Sequence, residues 1–178
     1  MAMTLITTNP DSTDVASIEF TSSIDSTYKL YIFKWYDANP AVDASRLYFN
    51  GSTDGGSNYD VTKTTTNWDA SHNEDDSGAN IEYQTGNDLA QDTGLQALAI
   101  QTGSGADESS AGTLWLFNPA STTYVKHFYA TVSNYRRGDE MFHEFIAGYF
   151  NTTSAINAII FSAQGGNMDG VIKMYGVG

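Results

Sequence analysis

From Tyr28 to Tyr36 the chain reads Tyr-Lys-Leu-Tyr-Ile-Phe-Lys-Trp-Tyr, and both alternating faces are apolar in the middle. Tyr28, Leu30, Ile32, Lys34 and Tyr36 share one face, and Lys29, Tyr31, Phe33 and Trp35 share the other. An apolar run with period two predicts a central strand covered on both sides. Weaker runs of the same kind fall at Val15–Phe20, Arg46–Phe49, Tyr59–Thr66, Ile81–Thr85, Thr113–Phe117 and Tyr124–Val132. In the last of these Val125, His127, Tyr129 and Thr131 lie opposite Tyr124, Lys126, Phe128, Ala130 and Val132. Turn-forming residues separate the runs: Asn50-Gly51, Gly86-Asn87-Asp88 and Asn118-Pro119.

Two stretches fit more than one pattern. Leu89 to Gln101 suits neither period well, and Gly94 argues for a strand starting at Leu95. Phe142 to Phe150 suits a helix capped by Asp139 or a buried strand, and the surrounding rhythm with Gly148 favours the strand. The end of the chain, Ile156 to Gly176, reads as two strands joined at Gly165-Gly166-Asn167, a C-terminal hairpin. The segment Met1 to Thr13, broken at Pro10, reads as an arm or a short edge strand. About ten strands separated by polar turns predict an all-β fold, an antiparallel jelly-roll-like β-sandwich over residues 14–178 preceded by the arm at 1–13.

Composition agrees with one domain of this kind. The chain has 178 residues, few charged ones (16%) and many aromatics (13%), which suits strands better than helices. The net charge of -13 argues against direct contact with nucleic acid or an anionic membrane. Cysteine is absent, so no disulfide, thiolate metal site or cysteine nucleophile exists. The N-terminus lacks a basic region followed by a long apolar stretch, which predicts synthesis without a secretion signal.

No chemistry announces itself. The segment Trp68 to Asn80 reads as a long acidic loop, and Asp69, Ser71, Asn73 and Asp75 offer oxygens at alternate positions as an EF-hand does. The match fails at Glu74, where glycine is needed, and at Asn80, where a glutamate is needed, so the expectation is a solvated loop and no metal site is assigned. His72, His127 and His143 lack ligand spacing, and the two in strands read as core or groove residues. The carboxylate pairs Asp75-Asp76, Asp107-Glu108 and Asp139-Glu140 lie in loops. No nucleophile elbow or phosphate loop is present, so no catalytic or cofactor residue is assigned and the chain is not expected to be an enzyme. Trp35, Trp68, Trp115, Tyr48, Tyr59 and Tyr83 are candidates for stacking on sugars; most are expected in the core, with Trp68 the best candidate for exposure.

The runs Ala16 to Phe33, His72 to Gly78, Gln84 to Leu89, Phe117 to Phe128 and Gly148 to Asn157 resemble virion-associated proteins of tailed bacteriophages, especially marine and cyanobacterial ones. The closing Ile172-Lys-Met-Tyr-Gly176 is similar to the last strand of their jelly-roll domains. The resemblance implies a virion structural protein: a capsid decoration (cement) subunit that self-associates, with a trimer favoured, and binds the major capsid or a tail protein. It implies assembly in the host cytoplasm and residence on the virion. The alternative it leaves is a tail- or fibre-associated module that binds carbohydrate or another receptor. A glycan hydrolase on the same fold is the least favoured reading, because no catalytic constellation supports it.

Overall fold

Thirteen segments of the chain are strands, and along Lys126–Arg136, Glu140–Phe150 and Met168–Val177 buried and more exposed positions alternate. The computed structural model describes residues 2–9 and 12–178, and among them none is helical. The strands are β1 (Met3–Thr8), β2 (Ser12–Val15), β3 (Ser17–Phe20), β4 (Leu30–Pro40), β5 (Ser45–Ser52), β6 (Lys63–Asn73) and β7 (Ala79–Tyr83). They continue with β8 (Gln96–Thr102), β9 (Ser110–Phe117), β10 (Lys126–Arg136), β11 (Glu140–Phe150), β12 (Ala158–Ala163) and β13 (Met168–Val177). All pairings are antiparallel.

The strands form two layers. One sheet runs β2-β13-β4-β9 and continues through β10, β11, β6 and β7, while β1 shares the β13 edge with β2. The other runs β3-β12-β5-β8. Set apart from β1 and the continuation, β2-β13-β4-β9 facing β3-β12-β5-β8 is the eight-stranded jelly-roll order of two Greek keys. The all-β sandwich expected from the sequence is therefore the fold. The additions enter at two places, β6–β7 between β5 and β8, and β10–β11 between β9 and β12, and they meet because β11 pairs β6 along its whole length. The layers join at one corner, where Arg136 of β10 pairs with Thr102 of β8.

The apolar faces meet between the layers. Phe161 of β12 lies 6.2 Å from Phe20, 5.6 Å from Phe33, 6.3 Å from Trp35 and 6.5 Å from Phe49, centroid to centroid. Phe49 meets Phe128 at 4.9 Å, which carries the core into the extension. Farther out the inward face of the extension becomes polar. Lys63, Thr65, Asn67 and Asp69 of β6, Asn134 of β10 and Glu144 of β11 are all buried. The strap between β7 and β8 covers this side: backbone bonds join Gln84 to Asn67, Thr65 to Leu89, and Lys63 to Asp92 in both directions.

Several expectations change. The last two strands are not a hairpin. β12 pairs with β3 and β5, and β13 pairs with β1, β2 and β4, so the Gly165-Gly166 turn carries the chain from one layer to the other. The expected loop at Trp68–Asn80 is mostly strand, β6 and β7 with a turn between them, and Tyr59–Val61 is not part of β6. β4 is central in its sheet, but only one of its faces, with Tyr31, Phe33, Trp35 and Ala38, meets the second layer. On its other side Ile32 is flanked in register by Tyr175 and Trp115, which bury it without a further layer. The first residues form the edge strand β1, and the break at Pro10 lies outside the described residues.

Candidate functional site

The distinctive surface is the outward face of the large sheet. Strand alternation fixes its membership, since each outward residue stands between two inward ones. Along β10 the buried residues Phe128, Ala130 and Val132 leave His127, Tyr129, Thr131 and Ser133 outward. Along β11 the buried Phe142, Glu144 and Ile146 leave Met141, His143, Phe145 and Ala147 outward. Along β6 the buried Lys63, Thr65, Asn67 and Asp69 leave Thr64, Thr66, Trp68 and Ala70 outward.

Register then makes cross-strand pairs of these side chains. Trp68 opposes Phe145 and stacks on it, centroids 4.1 Å apart and planes 10° apart. Trp115 opposes Tyr129 and stacks on it at 4.5 Å and 25°. His143 lies 4.2 Å from Phe145, and His127 lies 6.0 Å from Tyr149. Such pairs hold one another in place and leave ring faces at the surface: Trp68 is 38% and Tyr129 40% exposed. On β7, Tyr83 opposes Trp68 and Ile81 opposes Ala70, extending the face to the sheet edge.

The middle of this face is poor in carboxylates, unlike the chain as a whole. Across β9, β10, β11 and β6 the outward positions include no Asp or Glu, although the chain has 21 of them, and β4 adds one exposed carboxylate, Asp37, at its register shift. Lys34, Lys173, His127 and His143 are on it, and His72 is at its margin, so all three histidines of the chain lie here. Lys173 Nζ sits 5.2 Å over the Tyr36 ring, and its pKa is raised, chiefly by its hydrogen bond with Tyr36. Carboxylates lie at the rim, where Asp76 meets His72 at 3.2 Å, Asp88 accepts from Tyr83 and Asp139 accepts from Tyr135, and Asp37 and Asp169 are exposed on β4 and β13.

Three shallow depressions cross the face. A slot of about 180 Å³ lies between Trp68 with Phe145 on one side and Tyr129 on the other, floored by Thr66, Thr131 and Ala147. A trough of about 420 Å³ adjoins it at Tyr129 and reaches His127 and Tyr149. Another of about 410 Å³ adjoins it at Thr131 and reaches Lys34, His143 and Tyr175. By contrast, the space between the layers at Leu47, Thr102 and Met168 is about 10 Å³, room for no more than one water.

The structure divides the residues singled out from sequence. Trp68, Tyr83 and Trp115 come together on the outward face, whereas Trp35 is core. Tyr48 packs against a small apolar cluster of Ala97, Ile100 and Phe142, and Tyr59 donates to Glu19. His127 and His143 are exposed on the face, not in the core. The alternate oxygens do not form a calcium loop. Asp69, Ser71 and Asn73 lie along an extended strand, Asp69 is buried under the strap, and Asp75 accepts from the Ser77 amide. Among the described residues no group of three or more His, Asp or Glu is arranged to hold a metal ion. Sequence reasoning missed Phe145 and Tyr129 as surface aromatics, although period two over Met141–Tyr149 sets Phe145 beside His143 and Ala147. The chain matches no protein-family model and no curated protein.

Proposed function

We propose that this chain is a non-enzymatic structural subunit of a tailed-bacteriophage particle, a capsid decoration protein that self-associates, as a trimer, and binds the particle surface. The observation that carries the reading is the β2-β13-β4-β9 and β3-β12-β5-β8 order, an architecture recurrent in capsid proteins. The resemblance of Ala16–Phe33 and Gly148–Asn157 to virion proteins supports it. The short edge strands β3 and β7 are available for pairing with a neighbour. In light scattering the purified chain should have three times the 19.3 kDa mass of one copy, unchanged by a calcium chelator. It should also sediment with phage capsids and not with host cells. A monomer that ignores capsids overturns the reading.

The aromatic face, whose depressions no carboxylate lines, favours a second reading, a tail-associated module that binds carbohydrate or another receptor. Sedimentation with host cells and not with capsids would select it.

A further inference from the structure

The two ring stacks on the outward face are staggered by one row. Tyr129 stands opposite Ala147, and Thr131 opposite Phe145, so each stack borders a small residue of the next strand. The result is the slot between Tyr129 and the Trp68–Phe145 pair, continuous with a trough on either side. The run is open and elongated, which suits a chain lying across it more than a compact ligand.

Ring faces carry the negative part of the aromatic quadrupole and attract C–H groups that bear partial positive charge. A pyranose ring presents such C–H groups on its faces and hydroxyls around its edge. Threonine hydroxyls at positions 66 and 131 lie on the slot floor to meet those hydroxyls. The outward side chains of the slot are three rings, the hydroxyls of Thr66 and Thr131 and the Ala147 methyl. The charges add a sign. Lys34 and His143 line the adjoining trough, and no carboxylate lines any of the three depressions. A dense phosphate backbone would still meet the repulsion of a chain carrying -13, whereas the sparser charges of a polysaccharide meet less of it.

We propose that this face binds an extended anionic polysaccharide, with single sugar rings stacked in the slot between Trp68 and Tyr129 and acidic groups directed to Lys34. The inference deepens the receptor-binding reading and rests on the same face. Its failure is separable, because the chain can bind host cells through another receptor while ignoring purified saccharide.

The test titrates the full chain with uronate oligosaccharides from alginate, following tryptophan fluorescence and heat. A neutral glucan oligosaccharide and a single-stranded DNA oligonucleotide serve as comparators. Uronate binding that weakens with added salt, and weakens about tenfold or more in Trp68→Ala and in Tyr129→Ala, is expected from loss of one stacking ring. Trp68→Phe should retain most of the binding, and Tyr124→Ala, at a 70% exposed residue outside the depressions, should retain all of it. Unchanged thermal melts establish that the variants are folded. No uronate binding, binding indifferent to Trp68 and Tyr129, equal binding of the neutral glucan, or tighter binding of the DNA would each overturn the proposal.

Discussion

Asp69 of β6 and Glu144 of β11 are direct register partners on the inward face of the extension, and both are buried, at 1% and 0% exposure. Directly opposed residues place their Cβ atoms about 4.5–5.5 Å apart. Glu144 Oε1 accepts from the Ile100 amide at 2.7 Å and from Asn134 Nδ2 at 3.3 Å. Glu144 Oε2 and Asp69 Oδ2 have no protein partner. Burial raises both carboxyls, Glu144 well above its ordinary 4.5 and Asp69 above 3.8, and each is raised further by a neighbouring carboxylate, Glu144 by Asp69 and Asp69 by Glu82.

This pair makes stability depend on pH in a defined direction. A carboxyl whose native value is raised contributes most below its unfolded value, and the contribution is lost as pH climbs through the native value. The two groups should therefore make the fold less stable as pH rises above their ordinary values of about 4 to 4.5. Glu144→Gln keeps the acceptor for Ile100 and removes the charge. It should match or exceed the parent at pH 8 and flatten the slope, as read by urea unfolding at pH 5 and pH 8. Equal destabilisation at both pH values would refute the account. Glu144→Ala strands the Ile100 amide and should cost about 1–3 kcal/mol at pH 5.

Lys63 carries the opposite dependence. It is fully buried, its Nζ donates to the Gly94 carbonyl at 2.6 Å, and burial lowers its pKa from 10.5 to about 8 despite Asp92 and Asp60 nearby. A lowered cation contributes stability above its unfolded value and loses it as pH falls through the native one. As pH rises from about 8 to 10.5 this residue should make the fold more stable, and Lys63→Met should abolish that component. A slope identical in parent and variant would exclude Lys63 as its source.

Phe161 meets aromatic rings of both layers. Its ring meets Phe20 and Phe49 of the small sheet and Phe33 and Trp35 of the large one. Phe161→Ala should destabilise by about 3–5 kcal/mol in equilibrium denaturation. A loss below 1 kcal/mol would mean that the layers close over the gap.

Gly170 sits at the bulge where β13 changes register against both β2 and β4, with φ 139°. A Cβ there would lie 3.0 Å from the Ala38 Cα and 3.2 Å from the Asp37 carbonyl oxygen. Gly170→Ala combines a disfavoured backbone angle with backbone crowding and should cost about 1–3 kcal/mol, read as a lowered melting temperature. An unchanged melt would show that the bulge can shift.

Much of the fold was legible in the sequence because burial and period two coincide at Tyr31, Phe33 and Trp35, and again at Phe128, Ala130 and Val132. Legibility ends where that coincidence does. On β6 the inward residues are Lys63, Thr65, Asn67 and Asp69 and the outward ones include Trp68 and Ala70, so apolarity points the wrong way and the part from Trp68 onward reads as a loop. The strand exists because β11 supplies a partner along its length and the strap satisfies its other edge. The C-terminal turn shows a second limit. Gly165-Gly166 marks a reversal in sequence, but whether the strands on either side pair or part is decided by β5 and β4, far from the turn. The candidate face was half visible. Trp68, Trp115 and Tyr83 are prominent in the sequence, and their assembly with Tyr129 and Phe145 depends on a register no local pattern reveals.

The extension is built from two separate inserts, and this has a consequence for the order of events in folding. β10 and β11 are joined by a tight turn and can pair as soon as both exist, as can β6 and β7. The seam between β6 and β11 joins Lys63 to Phe150 and Asn73 to Glu140, so it must close over a long stretch of chain. Contacts between distant positions form slowly, because the loop entropy is lost before they reward it. The two hairpins should therefore form early and independently, and the seam that unites them, with the buried carboxyls on one side and the aromatic rings on the other, should be the late and rate-limiting step.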